Sequence, residues 1–124
     1  MNTLLWILQI VLAIVFAGAG LVMLVKTRVD LSKMFGDWVD KVPAPLLKLL
    51  GLAELAAAVG LVLPPLVGVF PLLTALAAAG LVIVMIGAIV IHAGRSEYQN
   101  VALNLTFAAM AGVIAFARLG PYAF

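Results

Sequence analysis

Polar side chains are rare inside the long apolar runs of this chain, and each needs a reason: Gln9, Glu54, Thr74, Asn104 and Thr106 lie within them, and His92 stands where the third run ends. Glu54 is the hardest to house. An isolated carboxylate in hydrocarbon is costly, so this acid must face other helices and pair, or hold its proton. It can serve as a hydrogen-bonding or proton-exchanging group in a pocket, or as a structural bond to Asn104 or His92 that ties the second run to the third or fourth. Counted from the ends that adjoin the charged loops, Glu54 lies roughly 10 Å deep and Asn104 roughly 5 Å deep at about 1.5 Å per residue, with His92 at the rim. The three could meet in one pocket. Lys26, Arg28 and Arg95 surround its mouth, so an anionic or polar group arriving there would find cations first and an acid below. Gln9 belongs to the other half and reads as a lone interhelical hydrogen bond. With one histidine and no cysteine, neither a metal site nor a haem is supported, and one Glu, one His and one Asn assemble no complete catalytic constellation. No catalytic residue is assigned, and the residues favour a non-enzymatic role.

The elements that must position these groups follow from composition. The 124 residues are 67% hydrophobic with a mean hydropathy of +1.33, and only 10% are charged, far below the roughly 25% of soluble domains. The solvent is therefore a bilayer. Apolar runs at 4–25, 46–63, 70–91 and 101–117 each have room to cross a hydrocarbon core of roughly 30 Å, the second at the short limit. They are continuous rather than alternating, which argues for helices against a barrel. The expected fold is an all-α membrane protein, a single four-transmembrane-helix bundle filling 1–124. Ala17-Gly18-Ala19 loosely resembles a signal-peptide cleavage site, but no Lys or Arg precedes the first run, which is also long for such a segment.

Seven Lys and Arg stand against five acids, and nearly all fall between the runs, so charge speaks to orientation rather than to nucleic acid. The loops 26–45 and 92–100 share one side and hold Lys26, Arg28, Lys33, Lys41 and Arg95, with Lys48 at the margin. The other side has Arg118 alone. The positive-inside bias places both loops in the cytoplasm and both termini outside. Within the first loop, Leu31, Met34, Phe35, Trp38, Val39 and Val42 recur at helical spacing, which predicts a short amphipathic interfacial helix over about 31–42. Asp30 is placed to cap it, Pro43 and Pro45 to end it, and Trp38 to anchor it at the headgroups. It would act as a linker or as a lid over the pocket. Pro64 and Pro65 read as a tight turn that stops the second helix. Small residues at packing intervals, such as Ala56 with Gly60, Ala108 with Gly112, and Gly80 with Gly87, predict close helix approach.

In chain order, Phe16-Ala17-Gly18-Ala19-Gly20, Gly51-Leu52-Ala53-Glu54-Leu55, Gly80-Leu81 through Met85, Gly87-Ala88, His92 and Arg95, and then Asn104, resemble the motifs of the DoxX-like family of small four-span bacterial membrane proteins. The resemblance covers nearly the whole chain, and the order and spacing of its short motifs carry it. Many members have a lysine shortly after the first-helix glycine; here Met23 stands there and Lys26 lies a turn further on, so no lysine–glutamate pair is carried over. The resemblance implies a four-helix fold similar to that of vitamin K epoxide reductase, whose thiol chemistry is impossible without cysteine. It implies a bacterial inner-membrane location. It also suggests quinone as a ligand, since some relatives are tied to quinone-linked sulfur oxidation or serve oxidoreductase complexes, and related eukaryotic proteins assist membrane-protein assembly. The leading expectation is an accessory subunit or assembly factor of a larger membrane complex, or a homo-oligomer. The alternatives are a quinone-, lipid- or small-molecule-binding protein with its pocket around Glu54, and a proton-coupled transporter.

Overall fold

The computed structural model describes residues 1–124 and is helical throughout its ordered elements: α1 (Asn2–Val25), α2 (Arg28–Phe35), a 3-10 helix (Asp37–Lys41), α3 (Ala44–Val67), α4 (Leu72–Gly94) and α5 (Tyr98–Leu119). Four of these, α1, α3, α4 and α5, are long and apolar enough to cross a membrane. In lipid a spanning segment must satisfy its backbone internally, which the helix does. The inward faces follow a seven-residue rhythm. Leu5, Gln9, Leu12, Phe16, Gly20 and Met23 are buried on α1, and Leu47, Gly51, Glu54, Ala58, Leu61 and Pro64 on α3. Such a stripe suits helices crossing at a small angle. The outward faces, with Ile7, Ile14, Leu21, Ile86, Val90 and Phe116, are exposed and meet lipid.

Contacts run chiefly between α1 and α3 and between α4 and α5, with α3 joining the pairs through α4. At the centre of the first pair a Cβ built on Gly20 would lie 2.6 Å from the carbonyl oxygen of Gly51, so backbone packs on backbone there. Gly60 likewise packs on Ala77, whereas Gly80, Gly87 and Gly112, which the spacing suggested for packing, have open space where a Cβ would stand.

The second span is longer than its apolar run implies. Pro64 and Pro65 do not stop it; α3 continues through both to Val67. A proline has no N–H for the carbonyl four residues before it, which here orphans Gly60 and Leu61. Both carbonyls find side-chain donors instead: Thr74 Oγ1 donates to Gly60 O at 3.0 Å and Gln9 Nε2 donates to Leu61 O at 2.7 Å. Gln9 is therefore not a lone bond. Its Oε1 accepts from Arg118 Nε at 2.9 Å, while Arg118 Nη1 donates to Asn2 Oδ1 and Tyr122 O, and the guanidinium stacks on Phe124. This knot ties α1, α3 and α5 at the end of the bundle that holds both termini. Leu5, Leu12, Leu61, Ala78, Leu81 and Ile114 fill the core beside it.

The loop after α1 also differs from the expected single helix. Thr27, not Asp30, caps α2, accepting from Asp30 N, and Gly36 at φ 109° divides the segment into α2 and the 3-10 helix. Leu31 and Val39 bury themselves with Met23 and Leu47, so the segment is seated on the ends of α1 and α3. Lys48 completes the seat by donating to the carbonyls of Met23, Leu24 and Lys26, which α1 leaves unpaired at its C-terminus.

Candidate functional site

The inward stripe of α5 runs Asn100, Asn104, Phe107, Ala111, Ile114 and Arg118, yet only its second half is buried. Over the first half the two helix pairs part, and a cavity of about 890 Å³ lies between them. Glu54, His92 and Asn104, the three residues expected to share a pocket, all line it, together with Glu97 and Asn100. The remaining walls are apolar, with the rings of Phe16, Phe35, Trp38 and Phe107 among them, and Phe16 meets Phe107 edge-on at 5.6 Å.

Glu54 is 6% exposed and its Oε2 is buried with no hydrogen-bond partner. The structural bond that the sequence allowed is absent. His92 turns away from it, donating from Nδ1 to Glu97 Oε1 at 2.9 Å. The turn after α4 makes that pairing possible. Ser96 takes a left-handed conformation, and the amide of Glu97 returns to the carbonyl of His92 at 2.9 Å, which folds position 97 back over position 92. Glu97 also accepts from Arg95 Nε at 3.2 Å. The hydrogen bond from His92, reinforced by the positive charge of Arg95, holds the Glu97 carboxyl below its ordinary range. Glu97 escaped the sequence reading because it lies outside the apolar runs; the Gly94-Arg95-Ser96 helix stop between it and His92 is the signal that could have placed it.

The segment from α2 through the 3-10 helix covers the cavity, contributing Met34, Phe35, Gly36, Trp38 and Val42 to its lining. Trp38 thus faces the cavity: its Nε1 donates to Phe35 O at 2.8 Å across the break at Gly36, and its ring stands edge-on to His92 at 6.2 Å. Arg95 pairs with Asp37 on the cover, tying it to the α4–α5 turn. None of the three expected rim cations lines the cavity. Arg95 is engaged by Asp37 and Glu97, Arg28 donates to Asp40 O at 3.2 Å, and Lys26 contributes only its carbonyl to Lys48.

No group of histidine and acidic side chains is arranged to hold a metal ion. The geometry offers an unpaired acid, two amides and a histidine hydrogen-bonded to Glu97 around an apolar space: enough to bind, but without a nucleophile paired to a base. No curated protein and no solved structure matches the chain. A family model described as the DoxX-like family matches residues 7–114, a span that takes in every polar group of the cavity and most of all four spanning helices. With that match over most of its length and the four apolar helices the family resemblance implied, the chain belongs to the DoxX-like family of membrane proteins.

Proposed function

We propose that this protein binds an amphipathic small molecule in the cavity between its two helix pairs, with the polar head of the ligand at Glu54. The observation that carries the reading is a buried carboxyl group without a protein partner on the wall of an apolar cavity. Buried polar atoms in folded proteins are hydrogen-bonded, and one that is not points to a group that arrives from outside. The volume suits a molecule of drug or cofactor size. Of the ligands the family resemblance suggests, a quinone suits the cavity by size, with the amides of Asn100 and Asn104 as donors to its carbonyls, but it brings no counter-charge to Glu54.

The small residues that an accessory-subunit role would use for docking divide: Gly20, Gly51 and Gly60 are spent inside the bundle, whereas Gly80 and Gly112 have open space, and it is the unpartnered Glu54 on the cavity wall that favours binding. The binding reading places the covered mouth at the cytoplasmic side of a bacterial inner membrane, following the positive-inside bias. Gly87 lines the cavity and has open space at its Cβ, so the side chain of Gly87→Leu intrudes into it without displacing backbone. Native mass spectrometry from mild detergent should find a small-molecule adduct on the wild type and lose it on Gly87→Leu. Identical spectra for the two proteins would overturn the reading.

A further inference from the structure

No basic side chain lines the cavity, and this bears on the charge of what can bind. Arg95 is held by Asp37 and Glu97, Lys48 by the end of α1, and Arg28 by Asp40 O; Met23 lines the wall of α1, and no lysine or arginine lines the cavity at all. The charge of Glu97 is compensated by Arg95 and by its bond to His92. Glu54 is the one charged-type group on the lining without a partner of either kind, and it lies 6% exposed among apolar walls. A cation answers both needs of that carboxyl in its ionised form: it supplies the counter-charge that no protein group offers, and its N–H or positive face fills the unused acceptor. The walls suit the same class. Phe16, Phe35, Trp38 and Phe107 are among the lining, and the negative quadrupole of an aromatic ring attracts a positive head, while the rest of the lining accepts an apolar body. An anion would meet Glu54 with nothing opposite to offset it.

Building on the binding role above, we infer that the ligand class is a hydrophobic cation, an amine or onium compound whose charged centre sits against Glu54 between the aromatic walls. Entry of an anion past rim cations, which the sequence alone suggested, is disfavoured because none of Lys26, Arg28 and Arg95 lines the cavity, and Arg95 is held by Asp37 and Glu97.

Tetraphenylphosphonium and tetraphenylborate provide the test, being nearly the same size and opposite in charge. Equilibrium dialysis of the purified protein in a non-ionic detergent should show saturable binding of the phosphonium and none of the borate. Glu54→Gln should weaken phosphonium binding roughly thirtyfold or more, the scale for stripping one partner from a buried charge pair. Glu54→Asp should retain most of the affinity, as should Thr106→Ala, a change on the exposed side of α5. Equal binding of both probes, phosphonium binding that survives Glu54→Gln, or no phosphonium binding by the wild type would each overturn the cation class. The cavity reading falls separately: a Gly87→Leu protein that binds whatever the wild type binds would sink it and leave no site for either charge.

Discussion

Glu54, Gln9 and Thr74 are all polar residues in apolar helices, and the structure gives them different work. Gln9 and Thr74 repair the backbone where Pro64 and Pro65 remove N–H donors, and Glu54 repairs nothing. Replacing Gln9 with leucine leaves Leu61 O and Arg118 Nε without partners, which should cost about 1–3 kcal/mol per group. In a Pro65→Ala background the restored amide can serve Leu61 O, so Gln9→Leu should cost measurably less there. Thermal unfolding of the four proteins in detergent closes the cycle, and additive losses would disprove the repair. The acid in its apolar run is visible in the sequence, as is its nearness in depth to Asn104 and His92. The repairs are not, because the prolines read there as stops, and nothing in a single chain says which side chain from another helix reaches residues 60 and 61.

Among the elements, the amphipathic segment between the first two spans was legible from its periodicity. Its division at Gly36 and its place over the cavity were not, since both depend on what Leu31, Val39 and Asp37 find across the bundle. The segment is held on one side by apolar burial and on the other by the partly exposed Arg95–Asp37 pair. Such a pair is worth up to about 1 kcal/mol, so Asp37→Asn should raise the open population about fivefold at most. Because the chain has no cysteine, Val39→Cys would report this directly, as thiol labelling of a residue fully buried when the cover is seated. Unchanged labelling would show that the pair does not latch it. Acid acts through Glu97. Its folded carboxyl lies below its ordinary value of 4.5, so its contribution is complete above that pH and is lost as pH falls through the lowered folded value. Trp38 emission, followed in a Trp6→Phe background, should therefore hold steady through neutral pH and change only below about 4.5. Glu97→Gln should remove that acid step, and a transition near neutrality would contradict the assignment.

At the scale of the molecule, stability and binding occupy opposite halves. The half with the termini is filled by the Gln9–Arg118 knot and the leucine-rich core, whereas the half with the charged loops encloses the cavity. Ile114→Ala, at a fully buried site in the filled half, should cost about 2–5 kcal/mol, whereas Leu103→Ala, at a half-exposed position on the cavity wall, should cost under about 1 kcal/mol. Denaturation in mixed micelles compares them, and similar losses would mean that the cavity wall is packed. The four spans were readable as apolar runs, and the order of the short motifs already pointed to the family. The parting of the helix pairs was not, because the inward stripe of α5 keeps one register through both halves, and only its neighbours change.

The knot of Gln9, Arg118 and Leu61 gains a mechanical meaning from that layout. Polar bonds from three helices meet at one end, where the pairs are pinned, while at the other a short cover bridges them by an ion pair and a few side chains. The molecule is built like tongs riveted at the handle: the polar knot fixes the arms in register, and their tips are joined only by the short cover.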